Sequence, residues 1–209
     1  MPQVSSHRHL GLVINDTLTW SSYVDSVVSK ASARIGLLRR LKHRTSALIC
    51  RDLYQFCIRP VLEYAQVAWA GVSMTDDNRL ERVNRSAARL FSSTLLSAGV
   101  SHPLFLARAG LEPLKARRQV AQALFVRRLL LGRQPQHLRA STSRWLSLQV
   151  ERRGHSMALR NEDCLRLPRP KKTVLKLSPL YSSFSVWNSL TQSARSSPSR
   201  DHFLSFFCQ

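Results

Sequence analysis

Acidic side chains are scarce: the chain of 209 residues holds 12 Asp and Glu against 32 Lys and Arg. Carboxylates so few and so scattered leave little material for acid–base or metal-assisted catalysis, which needs several of them converging on one point. Glycine is also thin, at seven residues, and no phosphate-cradling glycine loop or Gly-x-Ser-x-Gly turn occurs. The four cysteines stand at 50, 57, 164 and 208. Cys50 and Cys57 fall two helical turns apart, too far for a disulfide, and no C-x-x-C zinc spacing is present. Reduced thiols in the nucleus or cytoplasm are therefore expected. His7 and His9 have no further ligand types nearby, so solvation is the expectation for them, and neither a metal nor a cofactor is implied. Long apolar runs are missing as well. The N-terminus lacks the apolar core of a secretory signal. The most apolar span, Ala47 to Val72, is interrupted by Arg51, Asp52, Arg59 and Glu63 and reads as buried helix, not as a membrane span.

What the chain has in excess is positive charge, +20 overall with a pI near 11.4. By type this is 26 Arg and 6 Lys. The planar guanidinium fork matches phosphate oxygens in pairs, so the bias towards arginine favours a nucleic-acid partner over solubility alone. The competing reading is a solvated basic surface. At this length the chain can bury a real core, as one domain with an appendage or as two small ones.

Hydrophobic spacing predicts a mainly α fold. A short strand over Leu10 to Ile14 precedes a helix in which Val24, Val28, Ala31, Ile35 and Leu38 recur on one side, with Val27 and Leu41 widening the stripe and Ser22 and Asp25 placed for a capping box. A second helix, capped by Thr45, is expected to bury Leu48, Ile49, Leu53 and Phe56 before Pro60 kinks or restarts it. A third segment runs from Val61 through Trp69 to Gly71, and the fourth helix has Thr75 as a cap, Asp76 and Asp77 against its positive end, and Leu80, Val83, Ala87, Leu90 and Phe91 on one side. On the other side Arg82, Arg85 and Arg89 fall within about 60 degrees of one another. A further helix runs from Glu112-Pro113 to about Leu131, where Gly132 ends it. Beyond it the chain turns basic and serine-rich. There Leu165–Pro168 and Thr173–Lys176 suggest short strands, Phe184–Leu190 a helical turn burying Trp187, and Ser193–Ser199 a linker.

Several blocks, in order, resemble one family. His9-Leu10-Gly11-Leu12 with Leu18-Thr19-Trp20-Ser21, then Lys30-Ala31-Ser32 and Gly36-Leu37-Leu38-Arg39-Arg40-Leu41, then Ile58-Arg59-Pro60-Val61-Leu62-Glu63-Tyr64-Ala65 closing on Trp69, then Leu80-Glu81-Arg82-Val83-Asn84-Arg85-Ser86-Ala87-Ala88-Arg89 set the series. Ala109-Gly110-Leu111-Glu112-Pro113-Leu114, Arg117-Arg118 and Val186-Trp187-Asn188-Ser189-Leu190 complete it. The series is similar to the thumb and post-thumb region of reverse transcriptases of non-LTR (LINE-type) retrotransposons. Thr191 departs from the pattern, which has proline after Trp-Asn-x-Leu. That resemblance implies a palm-exit strand and turn over residues 1–20, a helical thumb-like domain over 21–134, and a loosely structured basic extension with short strands and helix over 135–209. It also implies an RNA-directed DNA polymerase whose catalytic carboxylates sit in an aromatic-x-Asp-Asp palm motif, and no such segment occurs in these residues. Asp76-Asp77, the one Asp pair, follows Ser73-Met74-Thr75 rather than an apolar strand and is read as helix capping.

The expectation is accordingly a non-enzymatic fragment that grips the backbone of an RNA or DNA template-primer. Its candidate contacts are Arg39, Arg40, Lys42, Arg44, Arg82, Arg85, Arg89, Arg117, Arg118, Arg127 and Arg128, with Trp145 as a stacking platform. For Trp69 and Trp187 core packing is the expected role. Dipole complementation at a helix end is the competing role for the cluster at 39–44. The rival class is a helical scaffold whose exposed apolar surface meets a palm-containing polypeptide or another protein.

Overall fold

The computed structural model describes residues 5–91, 102–133, 135–138, 140, 142, 164, 165, 167, 169 and 173–207. These residues are mainly helical, with one short antiparallel hairpin near the N-terminus. They fall into two compact units, Met1–Arg117 and Arg118–Gln209. The boundary expected after residue 134 lies inside the second of these.

In the first unit β1 (Ser6–His9) pairs with β2 (Leu12–Asn15), His9 opposite Leu12. Leu10 and Gly11 join the strands with φ of 47° and 84°. Positive φ at both turn residues gives a twist that matches the flanking strands. Leu10 therefore belongs to the turn, not to the expected strand, and the partner strand Ser6–His9 was not foreseen. The Tyr64 hydroxyl donates to the Leu10 carbonyl at 2.9 Å and so ties the turn to the helical layer.

Helix α1 (Ser21–Leu41) buries Tyr23, Val24, Val27, Ala31, Ile35 and Leu38. The expected stripe holds except at its edges, where Val28 is half-buried and Leu41 exposed. No capping box forms: Trp20 is the N-cap without a side-chain bond, and Asp25 pairs with Arg79 instead. Helix α2 (Ala47–Leu53) is capped by Ser46, whose hydroxyl accepts from the Ile49 amide at 3.3 Å. Thr45, the expected cap, turns its hydroxyl back to the Leu41 carbonyl.

The buried face of this second helical stretch also differs from expectation. Leu48, Ile49 and Phe56 are exposed, at 63%, 49% and 78%, and Leu53 is only partly buried. Cys50, Tyr54 and Ile58 form the core side. Those three share the same four-residue spacing, and Tyr54 reads as a poor core candidate until its hydroxyl is given a buried partner. Tyr54–Ile58 forms a π-helical turn in which the Arg59 amide reaches five residues back to the Tyr54 carbonyl. The turn leads into α3 (Arg59–Glu63), which holds Pro60 in its first turn. A proline inside a regular helix clashes with the carbonyl four residues earlier, and widening the preceding turn relieves that clash. Beyond α3 the chain turns through Ala65 at φ 49°, and Trp69, fully buried, donates its indole N–H to the Tyr64 carbonyl at 2.7 Å.

Helix α4 (Met74–Phe91) buries Leu80, Val83, Ala87 and Leu90 as expected, and Asp76, Asn84 and Ala88 besides. Ser73 rather than Thr75 caps it, accepting from the Asp76 amide at 3.1 Å. Asp76 is more than a dipole partner. Its carboxylate accepts from Ser21 of α1 at 2.8 Å, from Ser73 at 2.9 Å and from Arg79 at 3.1 Å. Helix α5 (His102–Arg108) ends at Gly110, with φ 68°. The amide of Leu114, opening α6 (Leu114–Leu130), is met by the Glu81 carboxylate at 2.9 Å.

The second unit packs Ala123, Val126 and Leu129 of α6 with Leu165, Phe184, Trp187 and Phe203. Thr173–Lys176 is a helical turn (α7), not a strand, and Leu165 makes only an isolated bridge. The side-chain amide of Asn188 takes the place of a pairing strand there, bonding both the N–H and the C=O of Leu165 at 2.8 Å. Helix α8 (Pro179–Ser189) buries Trp187 as expected, and it starts five residues earlier than the pattern suggested. The expected linker contains α9 (Gln192–Arg195), capped by Thr191, with Ala194 and Ser197 buried. Helix α10 (Arg200–Ser205) buries Phe203, which stacks on Trp187 with centroids 6.0 Å apart.

Candidate nucleic-acid interface

Helices α1 and α4 lie side by side in the same sense, because residues near the start of one meet residues near the start of the other. Ser21 bonds Asp76, and Asp25 pairs with Arg79. Arg79 donates to both carboxylates, and these bonds, the one to Asp25 foremost, raise its pKa. Further along, a groove of about 380 Å³ opens between the two helices. Val28, Ile35 and Val83 form its apolar floor, while Arg39 and Arg82 contribute to its rim. Gly36 leaves the wall open, since a Cβ there would meet nothing within 4 Å.

The expected basic residues sort by environment. Arg39, Arg40 and Arg44 at the end of α1 are exposed, and Lys42 is half-buried as its C-cap. On α4 Arg82 and Arg89 are exposed. Arg85 lies on the flank, half-buried, with its Nε hidden from solvent and without a hydrogen-bond partner. None of the ion pairs among the described residues uses Arg39, Arg40, Arg82 or Arg89. The fold thus brings one member of each of two clusters separate in sequence, Arg39 near the end of α1 and Arg82 on α4, to a single groove, and the others do not line it. Arg79, Gly36 and the small residues Ser32 and Ser86 complete its lining, and sequence reasoning did not single them out for this role. The signal that was available is the pair of small residues Ser32 and Gly36, four apart on α1.

Other candidates are placed elsewhere. Arg117 grips Glu63 through Nε and, at 3.1 Å, through Nη2, and reaches Glu112 at 3.0 Å. Those bonds, with the Glu63 pair foremost, raise its pKa further above the usual arginine range. Arg118 is buried. Arg127 in the second unit donates to the carbonyls of Ser197 and Pro198 and lies over the Phe203 ring, whereas Arg128 is exposed. Trp145 lies outside the described residues. Among the described residues no grouping of three or more His, Cys, Asp or Glu suits a metal ion, and no helix is long and apolar enough to cross a membrane. Cys50, Cys57 and Cys164 are free thiols.

No protein-family description, curated protein or solved structure matches this chain.

Proposed function

We propose that the first unit is a grip for the sugar-phosphate backbone of a nucleic-acid duplex, of the kind that the thumb of a non-LTR retrotransposon reverse transcriptase applies to its template-primer. The observation that carries this reading is the meeting of Arg39 and Arg82 at one groove with no carboxylate partner for either among the described residues. Unpaired guanidiniums flanking a groove match the chemistry of phosphate oxygens, and backbone contact gives affinity without strong preference for sequence. The ordered sequence blocks support the same origin. In this reading the residues supply grip, and synthesis belongs to a carboxylate-bearing palm. The test is a titration of binding to an RNA–DNA duplex against salt. Log affinity should fall linearly with log salt concentration, and an affinity unchanged from low to moderate salt would sink the proposal.

A second reading has its own observation. Leu48, Ile49 and Phe56 are apolar, exposed and close in sequence on α2 and the π turn. Such a surface suits a protein, whether a palm-containing polypeptide or another partner. A protein that stays bound after nuclease treatment, and is lost when Phe56 is changed to Ser, would favour it.

A further inference from the structure

Four arginines of the second unit line one small cavity. Arg127, Arg128, Arg133 and Arg200, with Leu124 and Leu131, enclose about 220 Å³. Asp201 is the one carboxylate among the described residues of this unit, and it does not contribute to the lining. Two of the four have an ordinary explanation, since Arg127 and Arg128 occupy the last turn of α6, where positive charge suits the helix dipole. That explanation fails for the other two. Arg133 lies past the helix, and Arg200 opens α10, where the same dipole disfavours a cation. Like charges gathered round one cavity repel one another and so weaken the fold unless an anion is bound between them.

The local structure holds the four in place. Gly132, at φ 68°, ends α6 with the paired bonds Gly132 N–H to Leu129 C=O at 3.1 Å and Arg133 N–H to Arg128 C=O at 2.9 Å. This turn folds Arg133 back towards the turn that carries Arg128. Arg127 reaches the carbonyls of Ser197 and Pro198 at 3.2 and 3.3 Å, with its guanidinium carbon 5.7 Å from the Phe203 ring centroid. It thereby fastens the segment before α10 to α6 and delivers Arg200 to the cavity, which makes it a positioning residue. Arg128, Arg133 and Arg200 are exposed, and none of them takes part in an ion pair among the described residues.

We infer that this cavity binds a condensed phosphate, two or more linked phosphoryl groups, as carried by a free nucleoside di- or triphosphate or by a polyphosphorylated nucleic-acid end. A single phosphate carries about −1.5 to −2 charges near neutral pH, which balances at most half of four guanidiniums. A diphosphate comes closer, and its paired oxygens suit several guanidinium forks at once. Leu124 and Leu131 offer an apolar edge against which the face of an attached base can pack. The site is separate from the groove of the first unit, and its test uses no duplex.

Calorimetric titration of the full chain with inorganic pyrophosphate should give saturable binding, with orthophosphate at least tenfold weaker. Changing Arg128 and Arg200 together to Gln should weaken pyrophosphate at least tenfold. Arg133→Gln, tested alone, should weaken it severalfold. Arg39→Ala with Arg82→Ala should leave it unchanged, which separates this site from the groove. A nucleoside triphosphate competing with pyrophosphate points to a free nucleotide, and competition by a 5′-triphosphorylated oligonucleotide but not its 5′-hydroxyl form points to a nucleic-acid end. Equal binding of orthophosphate, full retention in both pocket variants, or no saturable binding of pyrophosphate would overturn the inference.

Discussion

The hydroxyl of Tyr54 donates a 2.6 Å hydrogen bond to Oδ1 of Asn84, 30 residues further on, and both side chains are buried. Asn84 in turn donates to Glu81 at 2.9 Å and to the Glu112 carbonyl at 3.1 Å, while the other Glu81 oxygen receives the amide that opens α6. One amide side chain thus joins the π turn, α4 and the approach to α6. Removing one member strands its buried partners, at a cost of about 1–3 kcal/mol each. Tyr54→Phe should therefore lower the denaturant midpoint, and Asn84→Leu should lower it further. The double variant should cost less than the two singles added, and strict additivity would show that the bonds are not coupled.

Alkaline pH acts on the same core. Burial, and then the charge of Tyr64, pushes the Tyr23 pKa up from 10.0 to about 12. Tyr54 is raised further still, first by burial and then by Glu63 and Glu81. A raised folded-state pKa means that the folded chain holds protons the unfolded chain has released. The stabilisation is thus complete below pH 10 and is lost as pH climbs towards 12 and beyond. Unfolding midpoints measured across that window should fall, and Tyr23→Phe should make the fall shallower. A pH-independent midpoint would contradict the argument.

Arginines of equal charge should behave differently in a duplex-binding assay. Arg39→Ala and Arg82→Ala should each weaken binding and reduce the salt slope by about 1, with the fold unchanged. Arg117→Ala should instead destabilise, because it leaves Glu63 half-buried without its main partner. Thermal melts read beside the binding curves separate the two outcomes.

Gly36 offers a sharper probe of the groove. Ala at this position meets no neighbour within 4 Å, so Gly36→Ala should stabilise α1 by roughly 0.5–1 kcal/mol. Gly36→Glu puts a carboxylate beside Arg39 and Arg82 and should weaken duplex binding at least tenfold without loss of thermal stability. Unaltered binding in that variant would place the contact elsewhere.

The amphipathic stripes of α1 and α4 were legible because each follows one period over many residues. Tyr54 was not, since a polar-tipped residue reads as surface until a distant Asn84 satisfies it. The linker at 193–199 misled for a related reason: hydroxyl residues that signal a loop also cap helices, as Ser199 does for α10 and, just before the segment, Thr191 does for α9. The arginine stripe on α4 could be drawn on a wheel. Its division into exposed Arg82 and Arg89 and flanking Arg85, and its meeting with Arg39, depends on which helix packs alongside, which no local pattern encodes.

The π turn at Tyr54–Ile58 amounts to one surplus residue in an otherwise regular helical path. Deleting one residue there would let the helix run with ordinary spacing and leave everything beyond at nearly the same angle, because the widened turn absorbs the surplus residue within itself. Leu62 would keep its place in the core and Glu63 its place beside Arg117, while Pro60 would now meet the carbonyl four residues earlier. The same deletion in the regular turns of α2 would rotate all that follows by about 100 degrees. The chain's tolerance of shortening should therefore be highest where its backbone looks most irregular, with the cost of closing the bulge falling on Pro60.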